Sequence, residues 1–353
     1  MTKLRFVLGD SDEKFLKRFS DYVTFHYGDK LEIYIFTEME LLGEFIQENR
    51  VNGVFAGKDF LDIRQKIKRD TVFAYLSAGI ETEQKEGVVT FIKYQSADAL
   101  VKEMMSLCSE QVVEVRQRRN GENGKIILFE SPAGGVGTTL AAVACACNFS
   151  RHGKKTLYLN LERFGSLDGI LKGDGKSDFS DVLYALKSKR TNLFLKLESI
   201  VRQDISGIFF IEPCSQPMDL GSLTKDEADH LFDTLLGEGG YDAVILDRNS
   251  GLEEFDTMFR KMADEIILVA DADGKQTEKL KKFFAAISYM EEKVQEELCS
   301  KMKLLYNRYH GKDICHEFEK SIRSLGRLPR LDGLPENHII ERFAAETFFE
   351  KLL

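Results

Sequence analysis

The chain has no tryptophan, no C-x-x-C pair and no apolar run approaching the roughly 20 residues needed to cross a membrane. The last absence excludes a helical membrane span. Six cysteines stand at 108, 145, 147, 214, 299 and 315. Cys145 and Cys147, two apart on a predicted helix, face different sides of it. The set therefore reads as reduced thiols of a cytosolic protein. The opening "MTKLRFVLGD" has no apolar core of a signal peptide, which supports the same expectation. An excess of positive charge is missing too. Net charge is −9, most of it carried after residue 120. A broad non-specific DNA surface would be basic, so nucleic acid is not the favoured partner.

What is present is ordinary α/β composition, 43% hydrophobic and 30% charged, over 353 residues, enough for two domains. The first third alternates short β-branched or aromatic runs ("LRFVLG", "LEIYIF", "NGVFAG", "TVFAYL", "GVVTFI") with amphipathic segments at 12–27, 39–49, 60–69 and 97–109. Five strands alternating with helices imply a parallel, doubly wound sheet. The polar stretch "RQRRNGENGK" follows, and a boundary is placed near Asn120 to Gly124. The predicted domains are thus 1–120 and 121–353. The second has strands at Ile126, "TLYLN", "GIFFIE", "DAVILD", "EIILVA" and "KLLYN", with helices near 139–151, 180–187, 224–236, 252–262 and 275–297. It too reads as a mostly parallel sheet, whose ligands sit beyond the carboxyl ends of the strands.

The first such strand end carries "SPAGGVGTT", residues 131–139, followed by the helix former "LAAVACACNF". Strand, glycine-rich turn and helix together cradle phosphates. Gly134, Gly135 and Gly137 let the backbone approach a polyphosphate closely. The amides from Gly135 through Val136, Gly137 and Thr138 to Thr139 would hold it, with the positive end of the following helix. Thr139 occupies the Ser/Thr position that ligates Mg²⁺. Against the G-x-x-x-x-G-K-[ST] pattern, however, Pro132 replaces the opening glycine and Thr138 the lysine. Loss of that charge-assisted contact costs on the order of 1.5–3 kcal/mol, roughly one to two powers of ten in affinity. Hydrolysis should suffer more, because the lysine also stabilises charge developing in the transition state.

Later strand ends add to this. "TLYLN" is followed by "LE", giving Asn160 and Glu162. "YDAVILDRNSG" ends its strand on Asp247, which can hold a Mg²⁺-bound water, with Gly251 four residues on. "KLLYN" ends on Asn307, whose amide has the donor and acceptor an adenine edge needs. Each has an ordinary alternative: Asp247 a helix cap, Glu162 a solvated charge, Asn307 a turn residue. All at successive strand ends, in order, favour a nucleotide.

From about 125 to 353 these residues resemble the MinD/ParA family of deviant Walker ATPases. Aligned to that family's motifs, Ala133 replaces the signature lysine that reaches across a dimer, Thr138 replaces the ordinary one and Asn160 the first aspartate of D-x-D. Glu162 stands at the second, the residue that positions the attacking water; Asp247 and Asn307 fit directly. The missing lysines and the receiver-like first domain resemble one branch, the TadZ/CpaE proteins of Tad (type IVc, Flp) pilus systems, as does "SDVLYALKSKRTNLFLKLESI". The resemblance implies an ATP- and Mg²⁺-binding homodimer, with weak or no hydrolysis, that sits at a cell pole and places pilus-assembly components there. The rival it leaves open is a partition ATPase that binds DNA. A MinD-like membrane-targeting C-terminal helix is not expected. "IIERFAAETFFEKLL" is amphipathic but acidic, and should pack on its domain.

The first domain lacks what a phosphoryl-accepting receiver needs. Asp10 and Asp12 follow strand one, Ser77 ends strand four and Lys93 ends strand five, but Ala56 and Gly57 stand where the acceptor aspartate should be. Asp59 comes two residues too late. Without a carboxylate in place no aspartyl phosphate forms. The domain reads as a docking or dimerisation module rather than a response regulator.

Overall fold

The computed structural model describes residues 3–68, 71–79, 88–109, 124–188, 192–272, 277–294, 297–311 and 322–353. Of the predicted boundary only Gly124 is among them; Asn120 to Asn123, Gly87 of "GVVTFI" and Cys315 lie outside the described residues. The chain forms two compact units.

The first unit is a five-stranded, all-parallel sheet in the order β2-β1-β3-β4-β5. Its strands are β1 Leu4–Gly9, β2 Leu31–Phe36, β3 Gly53–Gly57, β4 Val72–Ser77 and β5 Thr90–Ile92. Helices α1 Glu13–Tyr27, α2 Met39–Glu48 and α3 Ala97–Ser109 alternate with them as expected. Asp12 starts α1, its carboxylate accepting from Phe15 N at 3.0 Å, and Leu16, Phe19 and Val23 turn one stripe of the helix into the core. The predicted helix over 60–69 is instead a 3-10 segment, Lys58–Lys66, kinked at Phe60. Only Phe60 and Ile63 of it are buried, too narrow an apolar stripe to hold a full α-helix against the sheet.

A further element of this unit comes from far along the chain. Helix α6, Leu193–Ile200, clusters with the first unit, although the residues on either side of it in sequence belong to the second. Asn192 caps it, Leu195 N donating to its Oδ1 at 3.0 Å, and Asn192 N donates to the last carbonyl of α3, Ser109 O, at 2.9 Å. Phe194 and Leu195 enter the core built from Phe19, Leu100, Met104 and Cys108. Lys196 Nζ donates to Ser106 Oγ at 2.9 Å, and Lys30 pairs with Glu198.

The second unit is an eight-stranded sheet in the order β13-β12-β11-β6-β10-β7-β9-β8, parallel except for the β8–β9 pair. Its strands are β6 Lys125–Ser131, β7 Thr156–Asn160, β8 Arg202–Gln203, β9 Phe209–Ile211, β10 Ala243–Asn249, β11 Glu265–Asp271, β12 Met302–Tyr309 and β13 Arg323–Pro329. The helices are α4 Thr138–Arg151, α5 Phe179–Lys187, α7 Lys225–Leu236, α8 Glu254–Met262, α9 Thr277–Val294 and α10 Glu336–Phe343. Helix α4 is sheathed rather than amphipathic, with every residue from Ala141 to Phe149 buried. The C-terminal segment packs on the unit as expected: Ile340, Phe343, Phe348, Phe349 and Leu352 join the core around α4, and Asn148 Nδ2 donates to Ala344 O at 3.0 Å. Among the described residues no helix is long and apolar enough to cross a membrane.

Candidate functional site

Strand register brings the singled-out residues to one edge. Asp247 on β10 is level with Phe129 on β6 and with Asn160 on β7. Asp271 on β11 is level with Asn307 on β12. The loop 131–137 leaves β6 between these two groups, because β6 lies between β10 and β11.

The loop is built for close approach. Gly135 and Gly137 have φ of +72° and +86°, which side-chain-bearing residues rarely adopt. A Cβ at Gly134 or Gly135 would meet nothing within 4 Å, so that face of the loop is open. Helix α4 begins after Gly137 with no side-chain cap and no acidic residue in its first turn. Its leading amides are thus left to an anion. Ala133 and Val136 turn into the core, 3% and 1% exposed. Val136 therefore offers a ligand only backbone, and a lysine at 133 would have to leave this packing to reach outward.

Asp247 is the most constrained group of the site. It is fully buried. Its Oδ2 accepts from Tyr158 Oη at 2.7 Å and from Asn160 Nδ2 at 3.3 Å. The Thr139 hydroxyl approaches the same carboxyl, yet among the described residues Oδ1 has no hydrogen bond of ordinary geometry. Burial, reinforced by the charge of Glu162, pushes the Asp247 pKa up to about 7; the Tyr158 and Thr139 hydroxyls act the other way. Asn160 is engaged inside the chain. Its Oδ1 accepts from Glu162 N at 3.0 Å, holding the turn that carries Glu162. Glu162 is half-buried, and burial raises its carboxyl pKa.

Asn307 is engaged inside the chain. Its Nδ2 donates to Val136 O at 2.7 Å, and its Oδ1 accepts from Arg308 N at 2.8 Å. The amide expected to face an adenine edge here ties β12 to the phosphate loop, close enough that a Cβ on Gly137 would lie 2.4 Å from it. Arg308, which sequence reasoning passed over, has a φ of +56°, the one described non-glycine residue with positive φ. Beyond it a cavity of about 320 Å³ is lined by Asp271, Arg308, His310, Arg330 and Asp332.

Sequence reasoning also missed the buried charges around the loop after Asp247. Glu130 of β6 receives two bonds from Arg260, 2.9 and 2.8 Å, and Arg260 also donates to Gly251 O at 2.7 Å. Arg248 donates to Asp256 at 2.6 Å and lies over the Phe255 and Phe259 rings. Burial lowers the Arg248 pKa to about 10, against the pull of Asp256 and Glu130. The available signal was an acid inside an apolar strand, since Glu130 follows Ile126 to Phe129.

In the first unit Asp10, Asp12 and Lys93 do come together. Lys93 Nζ donates to both Asp10 oxygens at 3.0 and 3.1 Å. Burial alone would lower the Lys93 pKa; the bond and charge of Asp10 outweigh it and raise it. Asp12 accepts from Tyr94 Oη at 2.7 Å, and Asp59 from Ser11 Oγ at 2.6 Å. Ser77 instead bonds Gly79 in its own turn. Ala56 is buried in the core, and a Cβ on Gly57 would lie 2.4 Å from Asp10 Oδ2. The acids close on a lysine and fill the place above residue 57 from which an acceptor side chain would start. Residues 2–109 match the family described as TadZ-like, receiver domain. The N-terminal part of the first unit is a TadZ-like receiver domain. Within this TadZ-like domain the acid–lysine cluster is a satisfied network.

For the rest of the chain the relatives are MinD/ParA-like. A stretch of 218 residues is 23% identical to the septum site-determining protein MinD of Buchnera aphidicola subsp. Baizongia pistaciae, covering 60% of this chain and 78% of that one. With MinD of Escherichia coli K12 identity is 24% over 190 residues, 53% of this chain and 67% of that one. The ParA family ATPase from Chlorobium tepidum TLS superposes with a TM-score of 0.51 at 18% identity, over 65% of this chain and 95% of that one. The MinC:MinD cell division complex of Aquifex aeolicus gives 0.50 at 17%, over 65% and 96%. The second unit has the MinD/ParA-type P-loop fold.

Proposed function

We propose that this chain is an ATP-binding scaffold of the MinD/ParA type, related to TadZ/CpaE, in which the nucleotide acts as a structural ligand. The observation that carries the reading is Asp247: a buried carboxyl with one oxygen that, among the described residues, lacks a hydrogen bond of ordinary geometry, beside a glycine loop whose outer face is open. A hard cation takes oxygen ligands, and the Thr139 hydroxyl and the Asp247 carboxyl supply them, so the residues fit Mg²⁺. Bound there with a triphosphate, Mg²⁺ would neutralise phosphate charge. The chain's own part is to hold phosphate through the amides of 134–139, to fix the loop through Asn307, and to keep Asp247 oriented through Tyr158 and Asn160. Glu162, near enough for its charge to raise the Asp247 pKa, has a raised pKa of its own and is the group to orient a water.

With neither lysine present, turnover should be slow. ATP then works by mass action, favouring whichever state it fits; that state is the homodimer, which offers a platform for Tad pilus-assembly components at a cell pole. The comparison proteins include a MinC:MinD complex, which supports a scaffold that recruits a partner. Calorimetry with MgATP and sedimentation with and without it test this. Binding that shifts monomer to dimer, with little phosphate release, is the expected result. Failure to bind MgATP, turnover typical of active partition ATPases, or co-sedimentation with DNA at low salt would overturn it.

A further inference from the structure

The phosphate loop of this chain has threonine and alanine where cations would stand, yet an arginine reaches it from another strand. Arg308 follows Asn307 near the end of β12. Its Nη2 donates to Gly135 O at 2.7 Å and its Nη1 to Asp271 Oδ2 at 2.9 Å. Gly135 is the loop residue with φ +72° whose outer face is open. Arg308 itself is held at φ +56°, an arrangement that costs a side-chain-bearing residue energy and persists where the surroundings demand it. The backbone turn aims its side chain back at the loop rather than along β12. The guanidinium is half-exposed at the wall of the 320 Å³ cavity, whereas Asp271 is largely buried. Five N–H donors on a planar fork can bond a carbonyl, a carboxylate and an incoming oxyanion together.

We propose that Arg308 is the cation of this phosphate loop, serving from β12 as the positioning residue that a loop lysine would otherwise be. It fixes the Gly135 carbonyl outward, so that the loop amides face the phosphates, and lends them positive charge from the same chain. Asp271 anchors the guanidinium in this pose. The inference rests on the nucleotide reading above and deepens it: the ligand is recognised as a polyphosphate by Arg308 together with the amides of 134–139.

Titration calorimetry with MgATP over a series of salt concentrations tests it, on wild type, R308Q, R308K, T138K and the double variant T138K/R308Q of the full chain. R308Q removes the charge while leaving a polar side chain, and should weaken MgATP binding roughly 10- to 100-fold. R308K should keep most of the affinity. The salt dependence of binding should flatten in R308Q, because a charge has left the site; loss of a purely structural contact would not flatten it. T138K should recover at least tenfold in the R308Q background and add less than that to wild type, the non-additivity of two groups serving one role. R308Q binding within threefold of wild type, an unchanged salt slope, or equal gains from T138K in both backgrounds would overturn the role of Arg308 and leave the nucleotide reading standing. Wild type that does not bind MgATP would overturn both.

Discussion

Replacing Asp247 by asparagine removes an ionisable group from a position that is fully buried and, among the described residues, has an incomplete set of hydrogen bonds. Burial lifts the native pKa from 3.8 to about 7. Between pH 4 and 7 the native chain therefore keeps a proton that the unfolded chain has lost, and stability falls as pH climbs through that window. Three units at 1.36 kcal/mol each set a ceiling of about 4 kcal/mol at pH 8. Asparagine keeps the shape, still accepts from Tyr158 and Asn160 through its oxygen, and cannot ionise. The ligand-free variant should unfold later than wild type at pH 8, by about 2–4 °C per kcal/mol for a unit of this size. The gap should close as pH falls towards 4. MgATP should reverse the order, since wild type gains stabilisation that the variant, without its anionic oxygen, does not. Scanning calorimetry at pH 5 and 8, with and without MgATP, reads both effects. A variant less stable than wild type at pH 8 without ligand, or one that MgATP stabilises as much as wild type, would refute the reasoning.

Asn307→Ala removes the bond to Val136 by which this side chain ties β12 to the loop, so binding of ATP and UTP should weaken by a similar factor; a much larger loss for ATP would assign the amide to the base. The first unit should form no adduct with acetyl phosphate by mass spectrometry, and Gly57→Asp should not restore one, because its Cβ would crowd Asp10. Arg260→Met leaves Glu130 buried without its partner and should cost about 3–5 kcal/mol in denaturant unfolding, most of it regained in the double variant with Glu130→Leu.

Both sheets were legible from strand runs separated by amphipathic segments, because parallel strands covered on two faces read as continuous apolar runs. Strand β13 was not. It lies at the sheet edge, three of its seven residues are exposed, and it contains Gly326 and ends on Pro329. Within the site, the loop and Asp247 could be read because their chemistry resides in residue type at a strand end. Tyr158 could not, since its hydroxyl matters only once β7 and β10 are in register. Arg308 and Asp271 met through the pairing of β11 with β12, and no local pattern announces an arginine at positive φ. Asn307 was found by position, but its bonds depend on a loop 171 residues earlier.

Helix α6 bears on how the chain comes to be made. Phe194 and Leu195 fill the core of a unit whose other described elements all lie before residue 110. During synthesis from the N-terminus, the receiver sheet must wait for some eighty further residues, β6 and β7 among them, before its last core side chains leave the ribosome. A fragment ending near residue 120 would keep every strand of that sheet but leave the apolar face beneath α6 open to water, inviting self-association. In the genome, too, the two halves cannot be shuffled by one crossover near their boundary: an exchanged receiver half would meet a helix shaped for its predecessor's core.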